Sequence, residues 1–418
     1  MQSVRRVVVT AAGGGIGLEI ARAFAAEGAK VHICDIDEDS VRTVTESEPS
    51  ITGTVCDVSD RAAFEQRGFS AEELTGLVLG WTVPQKENFY GAPSVAARLG
   101  APGVTGPMVS QACATSVACV HAAAATTEGD DSEVTLVVTT DRTSNGPQLI
   151  YPEPSAPGGS PQAENWVQDS FAKDPWAGEA MFTTGELVSS EEGIGREELD
   201  DITALRYEQY ERSLENGREF QRRYMIPVTI PQRRKDPIVV EDDSGIFPTT
   251  REGLAKLKPM AEGGVTFGSQ THPADGTAGM VVTGEQKARE LGDGEGVVKL
   301  LATGFARVSK ARMPKAPVPA AEMALADAGV SITEVDVIKT HNPFAVNDAY
   351  FARRMGVQVK DMNDYGSSLI FGHPQGPTGA RLIAEMVEEL RLRGGGTGLF
   401  MGCAAGDSGA ALIVRVED

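Results

Sequence analysis

Two cysteines and two histidines stand where thiol and imidazole chemistry is easiest to arrange. Cys113 lies in Ser110-Gln111-Ala112-Cys113-Ala114-Thr115-Ser116, between an apolar stretch and a run of small helix-forming residues. A cysteine at such a strand-to-helix turn sits near backbone N–H groups and the positive end of a helix dipole. Both favour the thiolate, which is the nucleophile. His373 lies in Phe371-Gly372-His373-Pro374-Gln375-Gly376, so its imidazole rides on a glycine-rich turn ahead of a helical run over 379–392. A histidine so placed is suited to take the proton of a cysteine thiol. Cys403 lies in Met401-Gly402-Cys403-Ala404-Ala405-Gly406, read as a small-residue loop before the last apolar strand. Backbone in such a loop can approach a ligand closely, and a second thiol there can exchange a proton with a substrate carbon. His341 ends an apolar strand and opens His341-Asn342-Pro343-Phe344-Ala345. The carboxyl end of a strand is where open α/β sheets place their ligands. Taken singly, each has a plainer reading, as a buried structural cysteine or a turn histidine.

Elements must carry these residues, and the pattern supplies them. Residues 106–125 read as a strand, a tight turn holding Cys113 and a small-residue helix; 133–140 read as another strand. Residues 296–308 return to strand and 318–328 to helix. The stretches 68–82 and 329–341 share a shape: a glycine, a short acidic helix, then an apolar strand. A repeat of that kind indicates a duplicated α/β unit. Between the two copies, residues 141–260 are polar and rich in Pro, Gly and acidic residues, with one helical stretch expected from about 196 to 224. The second copy opens with the strand 297–308 and the helix 318–328, for which the first copy has no counterpart of its own type. Residues 1–66 occupy that place and read as strand, glycine turn, helix, strand and strand, a βαβ rhythm that implies a parallel sheet.

Composition narrows the partners. The 418 residues carry 38 Lys and Arg against 59 Asp and Glu, a formal charge of -21. That balance disfavours nucleic acid and anionic membrane, and no apolar run reaches the ~20 residues of a membrane span. Five widely spaced cysteines do not suggest a disulfide framework, and no Cys-x-x-Cys pair marks a zinc site. The expectation is a reduced, cytoplasmic protein with no resident metal. An anionic substrate would need a local basic patch. Arg218, Arg222, Arg223, Arg233 and Arg234 offer one, unless they form a solvated helix face paired with Glu211, Glu215 and Glu219.

Four segments, Gln111-Ala112-Cys113-Ala114-Thr115-Ser116, His341 to Ala345, Gly372 to Arg381 and Cys403 to Leu412, stand in an order and at separations that resemble the thiolase family over roughly residues 69–418. The resemblance implies two duplicated α/β halves in a five-layer αβαβα arrangement. The first half would cover 67–295, with an inserted loop domain over about 141–260, and the second half 296–418. It implies an acyl-CoA C-acyltransferase with coenzyme A as co-substrate and no tightly bound cofactor. Cys113 would accept the acyl group, His373 would activate it, and Cys403 would move a proton at the α-carbon. His341 would help hold the thioester oxyanion, and the N–H groups of Cys113 and Ala405 would form a second oxyanion hole. Coenzyme A would meet Arg222, Arg223, Arg233, Ser269 and Thr271. A homodimer or larger oligomer is implied. Ala405, Asn342-Pro343 and Ser269-Gln270-Thr271-His272 depart from the family's usual residues. These departures resemble the subgroup that works with a small zinc-ribbon/OB-fold companion protein.

The N-terminal segment resembles the start of a short-chain dehydrogenase/reductase. Thr10-Ala11-Ala12-Gly13-Gly14-Gly15-Ile16-Gly17 follows a strand and opens a helix, and Asp35 ends the next strand. The likeness implies a partial Rossmann-like unit over 1–66, with Gly13, Gly15 and Gly17 near the phosphates of NAD and Asp35 at its adenosine ribose. Reductase chemistry in that family needs a Tyr-x-x-x-Lys pair, and none of the seven tyrosines has a lysine four residues on. A vestigial NAD site and a fused lobe remain open, as does a third reading: the first strand and helix stand in for those that the first thiolase-like half lacks.

Overall fold

A computed structural model describes residues 6–10, 22, 30–35, 38–48, 51–55, 70–86, 88–127, 130–230, 236–261, 263–292 and 296–417. The chain divides into two compact units. One comprises Met1–Glu73, Ser94–Val104 and Ile226–Asp242; the other comprises Leu74–Pro93, Thr105–Met225 and Asp243–Asp418.

In the first unit, β1 (Arg6–Thr10), β2 (Lys30–Asp35) and β3 (Ile51–Val55) form a parallel sheet in that order, with α1 (Glu38–Ser47) between β2 and β3. Parallel strands need such a crossover, because no tight hairpin can join them. Gly13, Gly15 and Gly17 lie outside the described residues, and Asp35 closes β2 as the sequence implies.

The second unit holds the duplication. Its first sheet contains β4 (Gly76–Gly80), β5 (Met108–Val109), β6 (Val134–Arg142) and β7 (Asp275–Thr283), in the order β7-β6-β4-β5. β4 runs parallel to β5 and β6, and β7 runs antiparallel to β6. Its second sheet contains β8 (Val297–Arg307), β9 (Val337–His341), β10 (Gly396–Ala404) and β11 (Ser408–Glu417), in the order β8-β11-β10-β9. β9 and β10 are parallel, and β11 is antiparallel to both β10 and β8. The strands β4, β6 and β7 thus repeat β9, β10 and β11 in order and direction. Covered on both faces, β4 and β9 read as near-continuous apolar runs; every residue of β9 is buried, including Lys339, which pairs with Glu389 at 2.9 Å. The copies differ at one edge. β8 covers the outer edge of β11, whereas among the described residues no strand covers the outer edge of β7. β1 pairs with β2 in the sheet of the first unit.

Two helices lie where the halves meet. α2 (Thr115–Thr127) packs on β4 and β6, and α7 (Thr378–Leu392) packs on β9 and β10. They touch each other at their first turns. A side chain at Gly379 would come within 2.9 Å of Ser116 Cβ, so the close approach requires glycine there.

The inserted region differs from the single helix expected over 196–224. It forms α3 (Met181–Glu192) and α4 (Arg196–Ser213), then a break. Asn216, Gly217 and Arg218 take left-handed backbone, with φ of 52°, 67° and 68°. Asn and Gly adopt that conformation most readily, and three such residues cannot continue a right-handed helix. α4 is fixed to the second half by Arg206, which is fully buried and donates to Asp348 at 2.9 Å and to the Met362 carbonyl at 2.8 Å. No helix of the described residues is long and apolar enough to cross a membrane.

Candidate active site

Cys113 is presented by a strained turn. Ala112 has a φ of 45°, in the left-handed region that non-glycine residues avoid. The first residue of α2 locks the turn: Thr115 Oγ1 accepts the Gln111 N–H at 2.8 Å and donates to the Ala112 carbonyl at 2.7 Å. Cys113 remains partly exposed, while its neighbours Ala114, Thr115 and Ser116 are buried.

The second half supplies the facing groups. Gly372 has a φ of 92°, and a side chain on it would meet His272 Nε2 at 2.8 Å, so the turn before His373 admits only glycine. His373 Nε2 lies 3.0 Å from Cys113 Sγ, and its Nδ1 lies 2.7 Å from Thr378 Oγ1 on α7. For Nε2 to accept the thiol proton, Nδ1 must carry the hydrogen, and Thr378 accepts it. His341 stacks on His373 with ring centroids 4.1 Å apart. Its Nδ1 lies 2.8 Å from Ser368 Oγ, which also accepts the Asn342 N–H at 3.3 Å. The Ser368 hydroxyl proton is therefore available to His341 Nδ1, leaving the hydrogen on Nε2. That Nε2 is buried and has no partner among the described residues.

Cys403 lies within β10, at its buried end, rather than in a loop as expected. Its sulphur accepts from Asn347 Nδ2 at 3.2 Å; Asn347 stands in the first turn of α6 (Ala345–Met355). The tight turn after β10, with φ of 79° at Gly406 and 57° at Asp407, aims the Ala405 N–H at Cys113 Sγ, where the Cys113 N–H also points.

Burial governs the electrostatics. It pushes the Cys113 thiol up to about 11, outweighing the two N–H groups that favour the thiolate, and the nearby Asp141 carboxylate adds to the rise. This overturns the expectation that the turn and the helix dipole would hold the thiolate: desolvation of the sulphur is the larger effect. Burial likewise lowers His373 to about 3 and His341 well below the usual histidine range, with His373 contributing to the latter. Cys403 is raised by burial and then by Cys113, against the Asn347 hydrogen bond. The resting site holds neutral thiols and neutral imidazoles.

A clamp absent from the sequence reading joins the two halves. The buried Asp141, near the end of β6, accepts from Thr82 N at 2.7 Å, Thr82 Oγ1 at 2.8 Å, Val83 N at 2.8 Å and Gly376 N at 2.8 Å. Ser116 Oγ donates to the Gly376 carbonyl and accepts the Ala380 N–H at 2.8 Å. The His373 turn is thereby tied to the half that carries Cys113. One signal for Asp141 was readable, a lone acid near the carboxyl end of an apolar strand; Asn347, Ser368 and Thr378 gave none.

Ser269 and Thr271 lie beside the His341 loop. The Ala345 N–H donates to the Ser269 carbonyl at 2.9 Å, and the Thr271 N–H donates to the Pro343 carbonyl at 2.7 Å. The hydroxyls of both are engaged, Ser269 with the Thr266 N–H at 2.9 Å and Thr271 with the Ser368 carbonyl at 2.5 Å. Arg223 pairs with Glu388 at 2.9 Å, Arg222 is exposed, and Arg233 lies outside the described residues.

Comparison with known proteins decides the family. The profile for the thiolase N-terminal domain matches residues 56–286, and that for the thiolase C-terminal domain matches residues 296–416. The chain belongs to the thiolase family. An acetyl-CoA acetyltransferase of Allochromatium vinosum is 28% identical to this thiolase over 394 residues, covering 92% of this chain and 98% of its own. The structure of an acetyl-CoA acetyltransferase from Bacillus anthracis superposes with a TM-score of 0.78 at 25% identity, covering 85% of this chain and 90% of its own. Human mitochondrial 3-ketoacyl-CoA thiolase in complex with CoA shares the fold, with a TM-score of 0.78 at 23% identity over 86% of this chain and 91% of its own. A short chain dehydrogenase profile also matches residues 5–78 of this thiolase.

Proposed function

We propose that Cys113 is the nucleophile through which this thiolase cleaves a 3-oxoacyl-CoA with coenzyme A, or runs the reverse Claisen condensation. The observation that carries the reading is the 3.0 Å contact of Cys113 Sγ with His373 Nε2 beside the unpartnered Nε2 of His341. Cys113 attacks the 3-oxo carbon as its proton passes to His373 Nε2. The proton leaves as the carbon–sulphur bond forms, since the resting pair is neutral, and Thr378 supports the imidazolium through Nδ1. The N–H groups of Cys113 and Ala405 hold the oxyanion on the attacked carbon. The bond between C2 and C3 then breaks. His341 Nε2–H stabilises the thioester oxygen of the departing enolate, and Cys403 protonates its carbon. Coenzyme A gives its thiol proton back to Cys403 and attacks the acyl-enzyme. The new acyl-CoA leaves, and His373 returns the proton to Cys113. Donors fixed before charge develops are worth the most in a dry pocket, about 3–4 kcal/mol each in well-studied cases.

The acetyl-CoA acetyltransferase relatives support an acetyl group as the transferred or departing unit. Ser269 and Thr271 are assigned to the pantetheine side of coenzyme A and Arg222, Arg223 and Arg233 to its phosphates; an exposed arginine in so acidic a chain favours that role for Arg222. Arg223 would have to leave Glu388 to serve. A homodimer, a cytoplasmic location and a small zinc-ribbon/OB-fold companion are part of this reading. Residues 1–66 are given no reductase role, because the Tyr-x-x-x-Lys pair is absent; binding of NAD there would show as a change in NADH fluorescence. The deciding experiment is intact-protein mass after mixing with acetyl-CoA and with acetoacetyl-CoA, followed by peptide mapping. An acyl adduct on Cys113, lost in Cys113→Ala, is the expected result; undiminished thiolysis by Cys113→Ala would reject the assignment.

A further inference from the structure

We propose that the same pocket is a soft-metal site: Cys113, His341 and His373 take up one Zn2+-type ion, which caps the nucleophile and switches acyl transfer off. The inference rests on the reading of Cys113 as nucleophile. The sulphur and one nitrogen of each ring lie within 4.8 Å of one another. Zinc holds sulphur at about 2.3 Å and imidazole nitrogen at about 2.0–2.1 Å in a tetrahedral set, so the ion draws the three atoms together and turns the two rings out of their 4.1 Å stack to aim both lone pairs at it. Sequence spacing could not show this, because the ligands come from three separate segments rather than from a Cys-x-x-Cys pair.

Four further features fit a metal. Both outer nitrogens are held by hydroxyls, His373 Nδ1 by Thr378 at 2.7 Å and His341 Nδ1 by Ser368 at 2.8 Å. Such outer partners orient ligating imidazoles and fix their tautomers. Ser368 can also donate to Asn342 Oδ1 at 3.4 Å. In that arrangement its oxygen accepts from His341 Nδ1–H, and the Nε2 lone pair is free for the ion. Both imidazoles are buried, so an ion held between them is shielded from competing water. The Asp141 charge that opposes the thiolate favours a cation at the same point. Binding breaks the S–H bond of Cys113, forms a sulphur–metal bond and releases one proton to solvent. The fourth position is left to water, as in sites that keep one position open. While the ion is bound, the sulphur pair that attacks the substrate is engaged and His373 has no free Nε2.

The test uses the full chain, with Co2+ as the spectroscopic probe and Zn2+ as the competitor. One equivalent of Co2+ should give thiolate-to-cobalt charge-transfer absorption, removed by Zn2+ or EDTA and absent in Cys113→Ser. Ser368→Ala should weaken cobalt binding by about 10- to 100-fold, the usual effect of losing an outer-shell partner. In the unaltered protein, Zn2+ should block iodoacetamide labelling of Cys113, and EDTA should restore it; this arm needs no variant to fold. Labelling that Zn2+ leaves unchanged, or a cobalt band that persists in Cys113→Ser, overturns the proposal. Acylation of Cys113 by acetyl-CoA in metal-free protein reports the nucleophile separately. An adduct without a cobalt band sinks the metal site alone, and a cobalt band without an adduct sinks the nucleophile alone.

Discussion

Thr378 is the sharpest place to test the mechanism, because it touches the base and not the substrate. Its Oγ1 lies 2.7 Å from His373 Nδ1, and both residues are buried. Thr378→Val keeps the shape and removes the acceptor. The Nδ1–H is then a buried donor without a partner, at a ring that must become positive during the reaction. Leaving a buried donor unsatisfied costs about 1–3 kcal/mol. If that loss falls on the transition state, kcat drops by about 5- to 150-fold, at one decade per 1.36 kcal/mol. KM should move little, since the hydroxyl faces the ring and not the acyl-CoA. Thr378→Ser restores the acceptor and should return most of the rate. Steady-state thiolysis of acetoacetyl-CoA by the three proteins measures both constants. Equal rates for Thr378→Val and the parent would refute the role of Nδ1. A serine variant as slow as the valine variant would show that packing, not the hydrogen bond, matters there.

The remaining predictions concern charge, the clamp and the open edge. With the Cys113 thiol raised from 9.0 to about 11 by burial, its alkylation should keep accelerating past pH 9 and show no plateau at neutral pH. The same shift makes the folded state hold this proton more tightly, so its stabilising contribution is complete below 9.0 and lost as pH rises through about 11; a denaturation series across that window checks the sign. His373 runs the other way: lowered from 6.5 to about 3 by burial, it contributes stability that disappears as pH falls from 6.5 through about 3. Asp141→Ala should destabilise the protein by on the order of 3 kcal/mol, since the N–H groups of Thr82, Val83 and Gly376 lose their shared acceptor; urea unfolding measures it, and a change under 1 kcal/mol would reject the clamp. Amides on the outer edge of β7 should exchange with solvent faster than those of β11, whose outer edge β8 covers.

Much of the site was legible because its chemistry needs unusual residues in unusual places. Cys113, His341, His373 and Cys403 announce themselves by type and by their glycine- and alanine-rich surroundings. The duplication was legible for a similar reason, since β4 and β9 are apolar runs after short acidic turns. The missing first strand of the first half was visible as an absence in the pattern. The pairing of β1 with β2 was legible too, since the βαβ rhythm of residues 1–66 implies a parallel sheet. The helix break at Asn216-Gly217-Arg218 was masked by strong helix formers on both sides, although Asn-Gly is a turn signal. The thiol's protonation was misjudged for a physical reason: sequence shows the N–H groups that favour a thiolate, but not the depth of burial that opposes it.

The site is divided unequally between the halves, and that division explains why the clamp is needed. Cys113 alone comes from the first half, on the turn ahead of α2. His341, His373, Cys403 and the Ala405 N–H come from the second, whose sheet has its outer strand in place. The half that presents the nucleophile is therefore the one whose sheet, among the described residues, ends at β7. Sheet pairing cannot fix Cys113 against His373, since no strand runs from one sheet into the other among the described residues. The register is set at the α2–α7 seam instead. Ser116 bonds to both Gly376 and Ala380, Gly379 lets the helices touch, and Asp141 holds Gly376 from the other side. All of these contacts fall within a few residues of Cys113 or His373. A shift of even one ångström at that seam would separate sulphur from imidazole, and rates in such pairs fall steeply with misplacement. The seam can thus preserve the catalytic distance even if the outer strand β7 frays, because fraying at an edge leaves the buried first turns of both helices in contact.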